Sequence, residues 1–297
     1  MSGPWRPADH RPLDEASRRA ILHMLREEAG LEFPLDTGFV LERRLQDRLA
    51  ALSIESFEDY VRLLRSPEGK PEIERVLDEV TIHETYFFRE EYQLRAFRDE
   101  LLPRLHEQSE RRHRLTIWSA GCSTGEEVYT LAMLVDESGQ FDDWSVRVVG
   151  SDLSRRCIAS ARRGVYGPSS FRSMPPELGR YFEPEGKQQR VVESIRSRCA
   201  FFQANLLDPE KHLGVGRAEA IFCRNVLIYL AEEARQRVLD VLYDRLQPGG
   251  YLMLGHSESL LNAGSAFETV HLQGDVVYRR PERDLSTRAE RPRRGDS

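Results

Sequence analysis

Apolar residues recur at helical spacing through the first quarter of the chain. The stretch DEASRRAILHMLREEAG (14–30) places isoleucine and leucine on one helix face, between a capping-type aspartate and a terminal glycine. The segments FVLERRLQDRLAAL, SFEDYVRLLRS and PEIERVLDEV repeat this period. We therefore predict an all-helical domain at residues 14–80, preceded by a flexible leader (1–13) and followed by a linker with its own helix (81–110).

The pattern changes after about residue 110, where short apolar runs alternate with amphipathic segments. RLTIWSA, SVRVVGSDL, AEAIFCRN, GGYLMLGH and DVVYRR are predicted strands, with helices of 10–15 residues between several of them. This alternation is typical of βαβ units and a mainly parallel sheet, which predicts an α/β domain at residues 111–280. Alternating short runs at about 181–204 indicate a small antiparallel insertion. The tail, 281–297, lacks apolar periodicity and is predicted to be disordered.

Composition narrows the function classes. The 297-residue chain has a net charge of −6, which does not favour a general nucleic-acid or anionic-membrane surface. No apolar run approaches the roughly 18 residues of a membrane span, and the N-terminus has no signal-peptide pattern. The four cysteines are dispersed without a CxxC pair. We therefore expect a reduced, cytoplasmic protein without membrane insertion or a metal site, and a monomer because no long apolar heptad is present.

The stretch WSAGCSTGEEVYTLAM (118–133) holds the candidate chemistry, because its two glycines lie between a predicted strand and a predicted helix. A phosphate-binding P-loop has lysine where this chain has Glu126, and the dinucleotide fingerprint GxGxxG is incomplete. Asp152 ends the next predicted strand, where doubly wound folds bind a ribose diol. S-adenosylmethionine fits these features, since it has a ribose, a sulfonium and an ammonium but no phosphate. Glu127 would then be a counter-charge to the cationic part.

The same residues also have structural interpretations that remain open at this point. Asp152 could cap the helix that follows it. Glu126 and Glu127 could complement the dipole of their own helix, and the glycine loop could be a tight turn that binds nothing.

Four motifs occur together, and in combination they resemble one known family. TIHETYFFRE (81–90), WSAGCSTGEEVYTLA (118–132), IFCRNVLIYL (221–230) and QPGGYLMLGHSE (247–258) are similar to the CheR-type chemotaxis-receptor methyltransferases over about residues 14–280. The resemblance implies an N-terminal helical domain and a Rossmann-like S-adenosylmethionine-dependent domain. It also implies a mostly parallel seven-stranded sheet and a small antiparallel insertion. The implied reaction is methyl ester formation on receptor glutamates, with S-adenosylhomocysteine as product.

The resemblance also implies roles for individual residues. For cofactor binding it indicates His83, Thr85, Arg89, Glu127, Asp152, Asn205, Leu206, Cys223 and Arg224. For catalysis we assign Arg89 to orient the carboxylate or the cofactor, and Tyr229 to wall the methyl site. His83 departs from the asparagine that is more usual in the family. The structural alternatives are core packing for Tyr229 and a surface ion pair with Glu90 or Glu91 for Arg89.

The implied partner is the cytoplasmic helical region of methyl-accepting chemotaxis receptors. Relatives that act on receptors dock them with a basic helix face, of which Arg43, Arg44 and Arg48 are present here. Asp47 and Ala50 stand where relatives often have arginine, so we expect a less basic surface. The short hairpin EPEGKQQRVV predicts no tether for a receptor's C-terminal peptide. Two other functions stay open, a cofactor-binding regulatory module without catalysis and a methyltransferase for a non-receptor protein.

Overall fold

The computed structural model describes residues 11–33, 38–260 and 266–282. Most of the predicted leader and tail lies outside these residues. None of the described helices combines the length and apolarity needed to cross a lipid bilayer.

Four helices form the N-terminal region: α1 (Glu15–Ala29), α2 (Gly38–Ala51), α3 (Phe57–Arg65) and α4 (Lys70–Val80). Asp14 caps α1 by accepting the backbone N–H of Ser17 at 2.8 Å, and the helix ends at Gly30 with φ +67°. Ser56 caps α3 through the N–H of Asp59 at 3.1 Å. The cap residues read from the sequence therefore mark where these helices start and stop.

A helical linker joins this region to the sheet. It contains α5 (Glu91–Ala96), a π-helical turn (Phe97–Leu101) and α6 (Leu102–Ser109). The linker side chains Leu94, Phe97 and Leu101 are buried against one face of the sheet.

The predicted α/β architecture is confirmed by a seven-stranded sheet. Its strands are β1 (Arg114–Ala120), β2 (Ser145–Asp152), β6 (Cys199–Gln203), β7 (Ala218–Cys223), β8 (Leu246–Leu254), β9 (Glu268–Leu272) and β10 (Asp275–Arg279). Their order in the sheet is β6-β2-β1-β7-β8-β10-β9. The five strands from β6 to β8 are parallel, while β10 runs antiparallel to both β8 and β9. Chain order reverses between β1 and β7, which creates the crevice where such sheets bind ligands.

Helices cover both faces of this sheet: α7 (Glu126–Ser138), α8 (Arg155–Arg163), the short α9 (Glu193–Arg196) and α10 (Glu232–Arg245). The core on one face joins the sheet to the linker and α7. The core on the other face is continuous with the N-terminal helices, because Leu25, Leu45 and Val80 share a cluster with Trp118 and Leu252.

The antiparallel insertion is a three-stranded sheet of order β3-β5-β4, formed by β3 (Val165–Tyr166), β4 (Phe182–Glu185) and β5 (Gln188–Val191). The prediction placed this insertion at about 181–204. Cys199–Gln203 instead pairs in parallel with β2 as the edge of the large sheet. Its five residues are all half-buried, as an edge strand allows, so their pattern resembles that of a small exposed sheet.

Candidate active site

A cavity opens at the crevice between β1 and β7 and encloses about 1120 Å³, part of it open to solvent. Its walls come from the end of α1, the linker segment 82–89, the loops after β1 and β2, the segment 204–207 and the loop after β7. Of the predicted site residues, those that line it are His83, Thr85, Arg89, Glu127, Asp152, Asn205, Leu206, Arg224 and Tyr229. Residues from six separate stretches of the chain therefore meet at one place.

The loop after β1 needs its glycines for steric reasons. Gly121 and Gly125 have φ of +87° and +96°, the left-handed region that side chains disfavour. A Cβ at Gly121 would collide with the side chain of Val226, and one at Gly125 would lie 2.7 Å from the Cβ of Ala161. The glycine loop is therefore packed against the β7 loop and α8, and it lines the cavity through Gly121.

Asp152 holds two loops together at the end of β2. Its carboxylate oxygens accept the backbone N–H groups of Ser123 and Ser154, at 2.8 and 2.9 Å. Burial raises the pKa of Asp152, and these two donors and nearby His83 oppose the rise. The cap of α8 is Ser154, which accepts the N–H of Cys157 at 3.1 Å, so the helix-cap interpretation of Asp152 is wrong. The acid instead faces the cavity beside the glycine loop.

Arg224 connects Glu127 to the linker. Its side chain is only 3% exposed and lies between Glu90, at 3.0 Å, and Glu127, at 3.1 Å. It also donates to the backbone carbonyl of Arg89 at 2.7 Å, while Ser119 donates to the other oxygen of Glu127 at 2.7 Å. One guanidinium and two carboxylates give this cluster one net negative charge, and the cluster meets the cavity through Glu127 and Arg224. A cationic ligand is therefore favoured there.

The linker presents Arg89 in an unusual backbone setting. Phe88 and Glu90, which flank it, have φ of +60° and +58°. Such left-handed conformations are uncommon for residues other than glycine and occur often at functional sites. The Arg89 guanidinium donates to the carbonyl of Glu84 at 2.8 Å, whereas Glu90 and Glu91 pair with Arg224 and Arg95. The described ion pairs therefore do not support the surface-pair interpretation of Arg89.

The N-terminal helical region supplies part of the cavity wall. Leu31 forms a β-bridge with Leu230, and backbone bonds of 2.9 Å join Glu32 to Tyr229 and Ala231 to Gly30. The side-chain amide of Asn205 donates to the carbonyl of Glu28 at 2.6 Å. The 30–32 segment and the 229–231 segment are therefore one continuous wall, which the sequence motifs did not indicate because the two lie about 200 residues apart.

The placement of Cys223 differs from expectation, whereas that of Tyr229 agrees with it. Cys223 is fully buried in the core and does not line the cavity, because strand alternation turns its side chain away from the face that Arg224 reaches. Tyr229 lines the cavity and also packs partly against the core, so the two interpretations of this residue are compatible.

Glu126 lies in the first turn of α7, as the helix-dipole interpretation requires. It is also 2% exposed and accepts hydrogen bonds from Thr124 and Ser170 at 2.6 and 2.9 Å. Burial raises the pKa of Glu126, and these hydroxyl donors oppose the rise. Glu126 therefore links the glycine loop to the segment between β3 and β4.

His83, Asp152 and Cys157 bring possible metal ligands together, with ligand atoms within 4.8 Å of one another. Ligand atoms of a tetrahedral zinc site are roughly 3.5 Å apart. Both oxygens of Asp152 already accept backbone N–H groups, and Nε2 of His83 lies 2.9 Å from the hydroxyl of Thr81. The arrangement therefore fits a hydrogen-bonded cavity wall better than a metal centre.

Comparison with known families identifies the chain. The model "CheR methyltransferase, SAM binding domain" matches residues 83–276, and "CheR methyltransferase, all-alpha domain" matches residues 17–81. The chain belongs to the CheR methyltransferase family. S-adenosylmethionine is therefore its cofactor, and its class of activity is methylation in chemotaxis adaptation.

Several named relatives are similar in sequence to this chain over most of their length. Chemotaxis protein methyltransferase 1 of Pseudomonas aeruginosa is 34% identical over 263 residues, covering 86% of this chain and 94% of the relative. Chemotaxis protein methyltransferase 2 of the same organism is 36% identical over 242 residues, covering 79% and 82%. Chemotaxis protein methyltransferase 2 of Vibrio cholerae is 30% identical, covering 88% and 91%.

The cavity of this CheR protein fits its cofactor on chemical grounds. The steric demand at Gly121 keeps the loop close to Val226 of the β7 loop, and Asp152 lies at the end of β2, where doubly wound folds bind a ribose diol. Glu127 and Glu90 outnumber the one guanidinium between them, which suits a sulfonium and an ammonium. No lysine lines the cavity among the described residues, in keeping with a ligand without phosphate.

Proposed function

We propose that this CheR protein methylates glutamate side chains on the cytoplasmic helical region of methyl-accepting chemotaxis receptors. The observation that supports this most directly is the acidic, lysine-free cavity built on Asp152, Glu127 and the Arg224 cluster at the sheet crevice. We further propose a cytoplasmic monomer, in keeping with such a substrate.

The reaction needs no general base. A glutamate with an unperturbed pKa of about 4.3 is already the nucleophile at neutral pH. When bound, S-adenosylmethionine supplies an electrophilic methyl group on a sulfonium. The tasks left to the protein are to bind the two reactants, to align them and to exclude water.

Different residues of the cavity perform these different tasks. Asp152 and Asn205 hold the adenosine end, and Glu127 counters the positive charge. Arg89 lies at the rim, where its guanidinium uses one donor on the Glu84 carbonyl and has others for an incoming carboxylate. Tyr229 closes the wall next to the methyl group. Leu31, Leu206 and Leu230 make part of the lining apolar, which helps exclude water.

The expected receptor-docking surface on α2 has fewer exposed arginines than its sequence contains. Arg44 donates to the carbonyls of Val80 and Glu79 at the end of α4, at 2.7 and 3.2 Å, and Arg48 pairs with Glu72. Of the three arginines on α2, Arg43 alone is exposed. We therefore propose that the electrostatic part of receptor docking through α2 depends chiefly on Arg43.

The test is a methyl-transfer assay with labelled cofactor and receptor cytoplasmic fragments. The wild type should place base-labile label on glutamates. Asp152→Ala should lower kcat/KM about 10- to 100-fold, because it removes an anionic acceptor of hydrogen bonds. Arg89→Ala should lower it similarly. Asp142→Ala and Arg95→Ala, at exposed positions, serve as matched controls and should leave the rate unchanged.

The outcomes separate the alternatives. Ester in the wild type with loss in both site variants supports the proposed reaction. Tight cofactor binding with no ester on any receptor fragment would contradict the receptor assignment. That result would favour either another protein substrate or a regulatory module that only binds cofactor.

A further inference from the structure

The carboxylate of Glu258 accepts hydrogen bonds from four backbone N–H groups. Glu258 follows β8, in the GHSE end of the fourth sequence motif, and has no assigned role in the site. One carboxylate oxygen accepts the N–H groups of Val226 and Ile228, at 2.9 and 3.2 Å. The other accepts those of Asn225 and Gly255, at 2.8 and 2.7 Å. Three of the four donors belong to the loop that follows β7.

That loop has a backbone that requires an external acceptor. Asn225 has φ +58°, and a single 3₁₀ turn at Leu227–Tyr229 follows. The first N–H groups of a helical turn have no partner within the turn, so a side chain must satisfy them. Gly255 allows the close approach, because a Cβ there would lie 2.8 Å from both the Asn225 nitrogen and the Glu258 carboxylate.

The loop that Glu258 holds forms one side of the cavity. Arg224 precedes it and Tyr229 ends it, and both line the cavity. Val226, in its middle, packs so closely on Gly121 that no side chain fits there. A shift of segment 225–228 would therefore act most directly on Tyr229, which follows the segment and ends the 3₁₀ turn.

We propose that Glu258 is a positioning residue for methyl transfer. Its carboxylate fixes segment 225–228, and through it the orientation of Tyr229 and Arg224 toward the reacting end of the cofactor. It touches neither the cofactor nor the substrate. The catalytic part of this inference rests on the proposed function, whereas the anchoring of the segment does not.

Two variants of the full-length chain test whether segment 225–228 needs a carboxylate at position 258. Glu258→Gln replaces one acceptor oxygen with an NH₂ group, which faces two backbone N–H groups without accepting from either. We expect kcat to fall on the order of 100-fold, as a displacement near 1 Å would cause, with far less change in the KM for cofactor. Glu258→Asp keeps the carboxylate on a shorter side chain and should recover part of the lost kcat.

Hydrogen exchange followed by mass spectrometry gives a readout that does not depend on activity. In Glu258→Gln the amides of peptides covering 224–230 should exchange faster, while those of β1, β2 and α7 stay as in the wild type. Glu193→Gln, at an exposed carboxylate on α9, is the matched control and should change neither exchange nor kcat.

Faster exchange confined to 224–230, together with a fall mainly in kcat, supports the inference. Unchanged exchange at 224–230, an unchanged kcat, or exchange that rises throughout the sheet would overturn it, the last because it indicates a general loss of stability. The wild type could form no ester while exchange at 224–230 is still faster in Glu258→Gln. That result would contradict the proposed function and the catalytic part of the inference, and it would support only the anchoring of the segment by Glu258.

Discussion

Glu127 faces the cavity because two neighbours hold it there. Ser119 and Arg224 each occupy one of its oxygens, and Arg224 is in turn shared with Glu90. Glu127→Gln would change the net charge of this cluster from −1 to zero. We expect affinity for S-adenosylmethionine to fall about 10-fold, which corresponds to roughly 1.4 kcal/mol.

Titration calorimetry with S-adenosylmethionine and S-adenosylhomocysteine measures this effect. A larger loss for the first ligand assigns Glu127 to the sulfonium, because the second has no charge on sulfur. An equal loss assigns it to the ammonium that both carry. Glu91→Gln, at an exposed carboxylate paired with Arg95, should leave both affinities unchanged. Unchanged affinity in Glu127→Gln itself would contradict the counter-charge role.

Local patterns predicted which residues lie near the cavity better than they predicted how those residues are held. The glycine loop and Asp152 were identifiable because a strand end, a tight turn and an acid are features of short stretches. Glu90 and Glu258 were not identified, since Arg224 lies 134 residues from Glu90 and three of the four donors to Glu258 lie 30 or more residues away. Cys223 was predicted together with Arg224, although neighbouring positions at a strand end point to different sides.

The N-terminal helices contain a charge cluster that stabilises them internally. Arg48 of α2 pairs through two nitrogens with Glu72 of α4, at 2.8 and 2.7 Å, and Tyr60 of α3 donates to the same carboxylate at 2.8 Å. Burial raises the pKa of Glu72, but the bonds from Arg48 and Tyr60 outweigh it and leave this pKa below its usual value. The cluster therefore favours the ionised carboxylate in the folded state.

Arg48→Ala should lower the free energy of unfolding by about 3 kcal/mol, because it leaves Glu72 buried with fewer partners. The contribution of Glu72 is fully present above its unfolded pKa and is lost as pH falls through the lowered folded value. Because Arg48→Ala removes a hydrogen bond that lowers this pKa, the free energy of unfolding of the variant should fall less than that of the wild type as the pH falls through this range.

Urea unfolding of both proteins at several pH values measures these differences. Arg43→Ala, on the exposed side of the same helix, is the control and should change stability by less than about 0.5 kcal/mol. Equal stability of Arg48→Ala and the wild type would show that the cluster contributes nothing.

Among the elements, central strands were predicted more accurately than edge strands. RLTIWSA coincides with β1, whose residues after the first are all buried. β6 is half-buried along its length, and β9 has one buried residue of five, so neither shows a clear hydrophobic pattern. Edge strands depend on pairing with a neighbour, which a short stretch of sequence does not encode.

At the scale of the whole molecule, one of the two cores of the described residues crosses the boundary between the two family domains. The cluster that includes Leu25, Leu45 and Val80 of the helical region also contains Trp118, Val238 and Leu252 of the sheet region. We therefore expect a single unfolding transition in calorimetry. Two well-separated transitions would contradict this expectation.

Bound cofactor should raise the temperature of this single unfolding transition without splitting it. Saturation at 100 times the dissociation constant stabilises a protein by about 2.7 kcal/mol, so the wild type should unfold at a higher temperature with S-adenosylhomocysteine present. Asp152→Ala should show little of this shift at the same ligand concentration.

The backbone pairing of residues 30–32 with residues 229–231 has a consequence for recombination between homologues. A crossover placed in the linker would join the helical region of one parent to the sheet region of another. It would thereby divide a wall whose two halves bond to each other directly. Chimeras of this kind would combine a seam and a shared core whose two sides come from different parents. A crossover that exchanges both segments together would keep the seam intact.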